Sequence, residues 1–318
     1  MFSALPLKLG ADMSSEEYLY SEIFNSIQGE GHYTGVPTAW IRFFLCNLQC
    51  NGFGQTDPTD PSTYDLPFEK IDLTDITEVE QLPVFSKGCD SSYTWSKKFK
   101  HLMHTADANT IADRIVDVLR TDSNPDGLFL HPVSNQRSHL CFTGGEPLTP
   151  KSQRGIVGIL HSLVKRGNAP TDITFETNGT KALTDEMLEM FRLREYNGNV
   201  FFSVSPKLWT VAGEPAKKAI KPEVVKEYHR LTLRKNSGSS GQLKFVLGSA
   251  KEQWEEMEDV LSQFRAQGIN WPVWIMPVGA REEEQLESAG DVAKMAFERG
   301  YNVSARVHTY LFGNAIGT

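Results

Sequence analysis

Four cysteines are spread unevenly along the 318-residue chain, and their spacing is the first sign of chemistry. Cys46 and Cys50 are separated by three residues, directly after the apolar run at 38–45. A loop with this spacing can bring two thiolates to a metal centre, but two ligands do not hold an iron–sulfur cluster. Three interpretations stay open: an incomplete cluster motif, a pair of core cysteines, or a site whose third ligand comes from elsewhere in the chain.

The other two cysteines differ in their surroundings. Cys141 lies inside the apolar stretch HLCF, where free cysteines are often buried, so it is interpreted as a core residue. Cys89 lies in the polar stretch SKGCDSSY and is the better candidate for a third thiolate, which would give the ligand set C-x3-C-x38-C. So few cysteines in a long chain favour metal ligands or core residues over a disulfide framework.

Composition is that of an ordinary globular protein. Hydrophobic residues make up 40% of the chain and charged residues 23%, and the formal net charge is −8. An acidic balance argues against nonspecific binding to duplex nucleic acid, which needs a basic face. The sequence shows no signal peptide and no apolar run of the roughly 18 residues that a spanning helix needs. We therefore expect a cytoplasmic protein without direct nucleic-acid or membrane contacts.

Strand-like and helix-like segments alternate from about residue 38 onward. Continuous apolar strands separated by helices predict an α/β fold with a parallel sheet, and six or so such units favour a partial, open β/α barrel. The predicted strands are 38–45, 139–145, 172–179, 199–207, 242–248, 272–279 and 302–313. The predicted helices are 108–121, 152–167, 184–193, 251–268 and 282–300.

Two stretches interrupt the alternation. Residues 51–88 are rich in Asp, Pro and Thr, and residues 208–240 contain RKNSGSS, so both are interpreted as insertions or long loops. No linker divides the chain convincingly. We therefore treat residues 1–318 as one domain with two excursions.

Polar residues follow several predicted strands, at the edge where such folds place their functional groups. The pair Gly144-Gly145 would let backbone approach a ligand closely. Taken singly, the glycine pair and the stretch ETNG are better explained as turns. Their joint occurrence on one edge favours a functional site. The groups are Cys46 and Cys50, then Thr143 to Pro147, Glu176 to Gly179, Ser205 to Lys207, and Met276 with Pro277.

A series of motifs resembles the 7-carboxy-7-deazaguanine synthase family of radical S-adenosylmethionine (radical SAM) enzymes. In order, they are YSEIFNSIQGEGHYTGVPTAWIRFFLCNLQC, CDSSYTW, FTGGEP, ETNG, SPK and LKFV. The resemblance covers roughly 18–50, 89–95, 139–180, 199–207, 242–247 and 272–318. The usual family motif is C-x3-C-x2-C, so residues 51–88 are interpreted as an insertion before the third cysteine. Such an insertion is tolerable because loop-closure entropy grows only slowly with loop length.

The resemblance implies a [4Fe–4S] cluster held by Cys46, Cys50 and Cys89, with S-adenosylmethionine at the remaining iron. Reductive cleavage of that cofactor would give a 5′-deoxyadenosyl radical, while the protein orients the reactants and excludes water. No catalytic group beyond the cofactors is expected. Mg²⁺ is expected at Ser91, which replaces the usual threonine but keeps the hydroxyl. Expected cofactor contacts are Asp90, Gly144, Gly145, Glu146, Thr177, Ser205, Pro206, Lys207 and Met276, with Glu146 near the ammonium group.

The implied reaction is conversion of 6-carboxy-5,6,7,8-tetrahydropterin (6-carboxytetrahydropterin) to 7-carboxy-7-deazaguanine with loss of ammonia, in queuosine-type 7-deazapurine biosynthesis. Arg42 would pair with the substrate carboxylate, because the guanidinium fork matches that group. Trp95 is expected to pack. The expected substrate contacts are Ile27, Gln28, Gly29, Glu30, Arg42, Thr143, Glu176, His308 and Thr318.

The resemblance also implies a flavodoxin-like reductant and a homodimer, and a product that serves either tRNA or DNA modification. Two alternatives stay open. One is a radical SAM activase that makes a glycyl radical on a partner protein; the other is a non-catalytic iron–sulfur protein. Arg42 and the stretch QGEG count against the activase, because they suit a small carboxylated heterocycle.

Overall fold

A nine-stranded sheet forms the centre of the protein in a computed structural model that describes residues 16–233 and 241–317. Apolar runs of five to seven residues form most of the strands, as expected for strands buried on both faces. The strands are β1 (Glu17–Ile27), β2 (Pro37–Phe43), β3 (His104–Asp107), β4 (His139–Gly144), β5 (Asp172–Thr177), β6 (Asn199–Val204), β7 (Gly241–Leu247), β8 (Val273–Pro277) and β9 (Asn302–Val303).

The sheet is open and mostly parallel. Its order is β3-β1-β2-β4-β5-β6-β7-β8-β9, so β3 and β9 lie at opposite ends. Strands β2 and β4 to β9 pair in parallel, whereas β1 pairs antiparallel with β2 and β3. The predicted fold class is confirmed. The sequence does not predict β1, in which the polar residues Ser21 and Glu22 are buried and break the apolar pattern.

Helices alternate with the parallel strands and cover the sheet. They are α1 (Pro67–Lys70), α2 (Ala108–Val118), α3 (Pro150–Lys165), α4 (Asp185–Arg192), α5 (Trp209–Ala212), α6 (Ala216–Ala219), α7 (Pro222–Leu233), α8 (Lys251–Ala266), α9 (Glu282–Glu298) and α10 (Val307–Phe312). Here β1 to β9 with α2 to α9 are called the β/α body. Within residues 16–233 and 241–317, no helix is both long and apolar enough to cross a membrane.

The second excursion is helical where the structure describes it. Helices α5, α6 and α7 occupy most of 209–233, and Val211, Val225 and Tyr228 are buried against the body. These apolar positions at helical spacing explain why the segment is not a long loop. The stretch RKNSGSS lies at 234–240, outside the described residues.

The predicted strand at 302–313 is wrong beyond its first two residues. Only Asn302–Val303 pair with the sheet, and α10 follows. The Ser304 N–H still donates to the Ile275 carbonyl at 2.8 Å, but the Val307 N–H donates to the Gly29 carbonyl at 2.9 Å. The chain therefore leaves the sheet edge after Ser304 and packs against the end of β1.

Residues 51–88, called the 51–88 segment below, leave the body and return to the same point. The Gly88 N–H donates to the Phe53 carbonyl at 2.7 Å, which joins the two ends of the segment. Four buried residues of the segment pack with three that follow Cys89. This group, called the segment cluster, comprises Phe68, Val79, Leu82, Phe85, Tyr93, Phe99 and Leu102. It is separate from the larger hydrophobic core of the body.

Candidate active site

One cavity of about 640 Å³ lies at the carboxyl ends of the parallel strands, the edge predicted for function. It brings together residues from β1, β2, β4, β5, β7 and β8, the residues that follow β6, the cysteine loop, both ends of the 51–88 segment and the C-terminal region. The predicted metal ligands on its wall are Cys46, Cys50, Cys89 and Ser91. The predicted cofactor contacts there are Asp90, Gly144, Gly145, Thr177, Ser205, Lys207 and Met276. The predicted substrate contacts there are Ile27, Gln28, Gly29, Glu30, Arg42, Thr143, Glu176 and His308.

Three predicted contacts are placed differently. Glu146 is 0% exposed and is not among the cavity-lining residues. Pro206 is also outside the lining, although its neighbours Ser205 and Lys207 are part of it. Thr318 lies outside the described residues.

The three thiols suit a cluster better than a single ion. Within the described ranges, no group of three or more His, Cys, Asp or Glu side chains could hold one metal ion. In a cluster each cysteine binds a different iron, so the thiolates need to surround a larger group rather than converge on one point. Cys46, Cys50 and Cys89 do line one cavity. The fourth cysteine, Cys141, is fully buried in β4 and is not part of the lining.

Burial governs the protonation of these thiols. It raises the pKa of Cys46 to about 12 and that of Cys89 to about 11, and it raises the pKa of Cys50 well above its usual value. Metal ligation requires the thiolate. Iron would therefore replace protons at three sites that are neutral in the protein alone.

The glycine pair holds the cysteine loop against β4. A Cβ on Gly145 would lie 2.3 Å from the Leu45 carbonyl oxygen and 2.8 Å from the Cβ of Cys46. The Glu146 N–H donates to the Leu45 carbonyl at 2.9 Å. Gly144 has φ +145 and would meet the Phe43 carbonyl oxygen at 2.3 Å if it carried a Cβ. The close approach that these glycines permit is thus made by the protein's own backbone, next to the first cysteine.

Glu146 uses its carboxylate within the protein. The carboxylate accepts hydrogen bonds from the Leu148 N–H at 2.9 Å, the Thr177 hydroxyl at 2.7 Å and the Asn178 N–H at 2.8 Å. Burial raises the pKa of Glu146 and outweighs these hydrogen bonds, which lower it. In this arrangement Glu146 ties β4 to the end of β5.

Lys207 lies between the cavity and the start of the 51–88 segment. Its Nζ donates to the Ser205 hydroxyl at 3.0 Å and lies 5.6 Å from the centre of the Phe53 ring. Phe53 itself lines the cavity. The first residues of the segment therefore form part of the wall around the predicted cofactor contacts.

Arg42 is held by a buried acidic and aromatic pair. Its Nε lies 2.5 Å from Oε1 of Glu22, which also accepts a hydrogen bond from the Tyr93 hydroxyl at 2.8 Å. Burial lowers the pKa of Arg42, but Tyr93 and Glu22 outweigh it and the net shift is upward. Another nitrogen of Arg42 reaches the Ser91 hydroxyl at 3.4 Å, and that hydroxyl donates to Asp90 at 3.0 Å. A fixed guanidinium thus faces the loop of the third cysteine.

A buried lysine joins the two predicted substrate carboxylates. The Nζ of Lys244 lies 2.5 Å from Glu30 and 3.0 Å from Glu176, and Lys244 is only 3% exposed. The Gln28 side chain donates to Glu176 at 3.1 Å. Burial raises the pKa of Glu30, but the charges of Lys244 and Arg306 outweigh it and hold the pKa well below its usual range. The cavity therefore contains an ionised carboxylate at Glu30.

The C-terminal region completes the wall. Arg306 pairs with Glu30 at 3.3 Å and with Asp90 at 3.0 Å. His308 packs on Gly29, where a Cβ would lie 2.0 Å from its Nδ1, so only glycine fits. Burial and then the charge of Arg306 lower the pKa of His308 to about 4. The imidazole is neutral at ordinary pH.

Four residues of this site were missed by sequence reasoning: Glu22, Tyr93, Lys244 and Arg306. Lys244 gave a usable signal, because a charged residue in the middle of the apolar strand QLKFVLG requires a buried partner. Arg306 falls in the region wrongly predicted as a strand. The roles of Glu22 and Tyr93 depend on a contact between β1 and the chain after the 51–88 segment, which sequence spacing does not reveal.

Curated relatives match along nearly the whole chain. The 7-carboxy-7-deazaguanine synthase of Rhodopirellula baltica is 28% identical over 317 residues, which cover 97% of this chain and 91% of that protein. The 7-carboxy-7-deazaguanine synthase of Pyrobaculum aerophilum is 24% identical over 297 residues, covering 93% of this chain and 95% of that protein. No family model matches the chain.

A solved structure shares the fold. The crystal structure of QueE from Escherichia coli superposes with a TM-score of 0.50 at 16% identity, covering 93% of this chain and 96% of that chain. The chain-long sequence matches and this common fold agree with the motif order found in the sequence. The chain is thus similar along nearly its whole length to curated 7-carboxy-7-deazaguanine synthases, and it shares the fold of QueE.

Proposed function

We propose that this chain converts 6-carboxy-5,6,7,8-tetrahydropterin to 7-carboxy-7-deazaguanine with loss of ammonia. One observation carries the proposal: three thiols, a fixed arginine and the carboxylates of Glu30 and Glu176 line a single cavity. This is the combination that a cluster-dependent enzyme acting on a small carboxylated heterocycle needs. The cysteine loops provide the thiols, and β1, β2, β5 and β7 or the residues that directly follow them provide the charged side chains.

Cys46, Cys50 and Cys89 would hold the cluster, and S-adenosylmethionine would bind beside it. When bound, these groups supply the one-electron chemistry that the side chains cannot. The chain positions the cofactor and keeps water out. Ser205 and Lys207 offer a hydroxyl and an ammonium to its polar end, and the residues expected to complete its surroundings are Asp90, Gly144, Gly145, Thr177 and Met276.

Substrate recognition follows from the donors and acceptors of the cavity. Arg42 offers a guanidinium, already oriented by Glu22, to the substrate carboxylate. Glu30 and Glu176 offer carboxylate oxygens to the amino and ring N–H groups of a pterin, and Gln28 can both donate and accept. Lys244 pairs with both carboxylates and holds them in place. A heterocycle that lacks these N–H groups would make fewer hydrogen bonds to Glu30 and Glu176.

Mg²⁺ at Ser91 is part of the proposal. The Ser91 hydroxyl lies 3.0 Å from a carboxylate oxygen of Asp90, and oxygen ligands of this kind suit a hard cation. Arg42 reaches the same hydroxyl, so a cation there would lie close to the group that binds the substrate carboxylate. A flavodoxin-like reductant and a homodimer are proposed from the family resemblance, and the cytoplasmic location expected from the sequence stays a prediction.

The test is turnover by the purified chain after anaerobic reconstitution with iron and sulfide. With S-adenosylmethionine, Mg²⁺, a reductant and the carboxylated pterin, we expect 7-carboxy-7-deazaguanine and ammonia in equal amounts. A chain that holds an intact cluster, cleaves S-adenosylmethionine and yet makes no deazaguanine would contradict this reaction. A glycyl radical formed on a partner protein under the same conditions would instead support the activase.

A further inference from the structure

A buried glutamate outside the predicted site holds the loop that carries the second cysteine. Glu214 lies between α5 and α6 and is 4% exposed. Its Oε1 accepts hydrogen bonds from the backbone N–H groups of Gln49 at 2.6 Å and Cys50 at 2.9 Å. Its Oε2 pairs with Lys218 at 3.1 Å. One carboxylate therefore binds two consecutive amides of the cysteine loop.

The backbones of the two segments are also in direct contact. The Gly52 N–H donates to the Ala212 carbonyl at 3.0 Å. A Cβ on Gly52 would lie 2.5 Å from the backbone nitrogen of Gly213, so this approach requires glycine. Gly213 itself has φ +68 and ends α5, which directs the chain so that Glu214 points into the loop.

The loop needs such support at Cys50. This residue has φ +53, a left-handed backbone conformation that is unfavourable for a residue with a side chain. Hydrogen bonds from the backbone N–H groups of Gln49 and Cys50 to the Glu214 carboxylate fix the turn in which the unfavourable conformation occurs. Without them the loop could relax and move the second thiol.

We infer that Glu214 is a positioning residue for the cluster loop and that it lowers the reduction potential of the cluster. This inference rests on the cluster assignment in the proposed function. Net charge and hydrogen bonds to the sulfurs are among the factors that set cluster potentials. Glu214 places a carboxylate beside the Cys50 amide, which opposes the addition of an electron. It also engages two N–H groups that are then not donated to sulfur.

Two substitutions separate the two effects. Glu214→Gln keeps an oxygen acceptor of the same shape and removes the charge. Glu214→Ala removes the acceptor. The matched control is Glu256→Gln. Glu256 accepts hydrogen bonds from the N–H groups of Trp209 and Thr210 at 2.8 Å each, at the start of α5, whereas Glu214 follows the end of α5. Glu256 is outside the cavity lining.

The readouts are iron content, the rate of cluster loss to a chelator, and the midpoint potential from an electron paramagnetic resonance titration of the reconstituted protein. We expect Glu214→Gln to retain the cluster with a more positive potential, and Glu256→Gln to match the wild type. We expect Glu214→Ala to lose its cluster to chelator about tenfold faster. This is the lower end of the effect expected when a hydrogen-bond partner of a metal-ligand residue is removed.

Each alternative outcome is decisive. An unchanged potential in Glu214→Gln overturns the electrostatic role, and an unchanged rate of cluster loss in Glu214→Ala overturns the positioning role. If Glu214→Ala does not fold, the isosteric Glu214→Gln variant still carries the test: any potential shift must exceed that of Glu256→Gln. A wild-type chain that takes up no cluster contradicts the cluster assignment itself, before any variant is compared.

Discussion

The β/α body and the 51–88 segment bury their apolar residues in different ways. In the body, Phe142, Phe175 and Phe202 lie on neighbouring parallel strands, and their rings stack at 5.4 and 5.2 Å. The 51–88 segment contains no strand; it has a four-residue helix and 3₁₀ turns. Its four buried residues need three partners from the chain after Cys89. The body is held by a sheet, whereas the segment is held by packing against the residues that follow it.

This difference explains how Cys89, separated from Cys50 by 38 residues, can still reach the cavity. A hydrogen bond between Phe53 and Gly88 joins the start of the segment to its end. Packing in the segment cluster then fixes Tyr93, whose hydroxyl donates a hydrogen bond to Glu22 beside Arg42. Packing in the segment is therefore linked to both Cys89 and Arg42.

The largest expected effect comes from replacing a cysteine. Cys89 directly follows the 51–88 segment, and Cys141 lies in the body. Cys89→Ala should remove the cluster, reducing iron from about four per chain to a small residue, because two thiolates do not hold it. The measurements are iron content and visible absorption after anaerobic reconstitution. Cys141→Ala, in the buried strand β4, is the control and should keep its iron. A full cluster in Cys89→Ala would show that the third ligand is another residue.

The next test separates the two hydrophobic clusters. Phe68→Ala in the segment cluster and Phe175→Ala in the body should each cost about 3–5 kcal/mol, typical for a buried phenylalanine. We expect Phe68→Ala to remove hydrogen-exchange protection mainly from the 51–88 segment and from 93–102. The same variant should also retain its iron–sulfur cluster less well. Phe175→Ala should lower protection throughout the sheet. Equal loss everywhere in both variants would mean that the segment and the body unfold as one unit.

Arg42 tests the link between the two regions. Arg42→Lys keeps the charge but loses the planar fork, so we expect roughly a tenfold to hundredfold loss in kcat/KM, as for one charged hydrogen bond. The loss should appear mainly in KM for the pterin, with iron content unchanged. Arg154→Lys is the control, since Arg154 binds Glu16 with two nitrogens at the surface. Similar kinetics in the two variants would exclude Arg42 from substrate binding.

The smallest expected effect concerns pH and lies outside the 51–88 segment, at His308 in α10. The pKa of His308 is about 4, below its ordinary value of 6.5, because of burial and the charge of Arg306; Glu30, Asp90 and Lys244 also act on it. The unfolded chain binds the proton more tightly, so this contribution to stability is present above pH 6.5 and is lost as pH falls toward 4.

His308→Asn should reduce the fall in melting temperature between those two pH values. His161→Asn, which removes a surface pair with Glu195, serves as the control and should leave the fall unchanged. An identical pH dependence in wild type and His308→Asn would contradict the assignment of this titration to His308.

Sequence pattern predicted the parallel strands β2 and β4 to β8 and the helices α2, α3, α4 and α8 between them, because these elements are local. The apolar runs around Cys141 and Phe175 and the helices between them follow from residue periodicity alone. The failure at 302–313 has a tertiary cause: the chain turns at Ser304 to cover the cavity, and a contact with Gly29 ends the strand. Helices α5 to α7 were not predicted. The turn-rich stretch RKNSGSS indicated a loop or insertion for the whole of 208–240, although the residues before it have helical spacing.

The sequence by itself determined the order of the strands along the chain, the candidate thiols and the motifs that indicate the family. Tertiary structure decided which charges meet. Lys244 joins Glu30 and Glu176 although the three residues come from distant parts of the chain. Glu214 binds Cys50 from 164 positions away. Buried charges are stable only when paired, and such pairing depends on distances in space that sequence separation does not set.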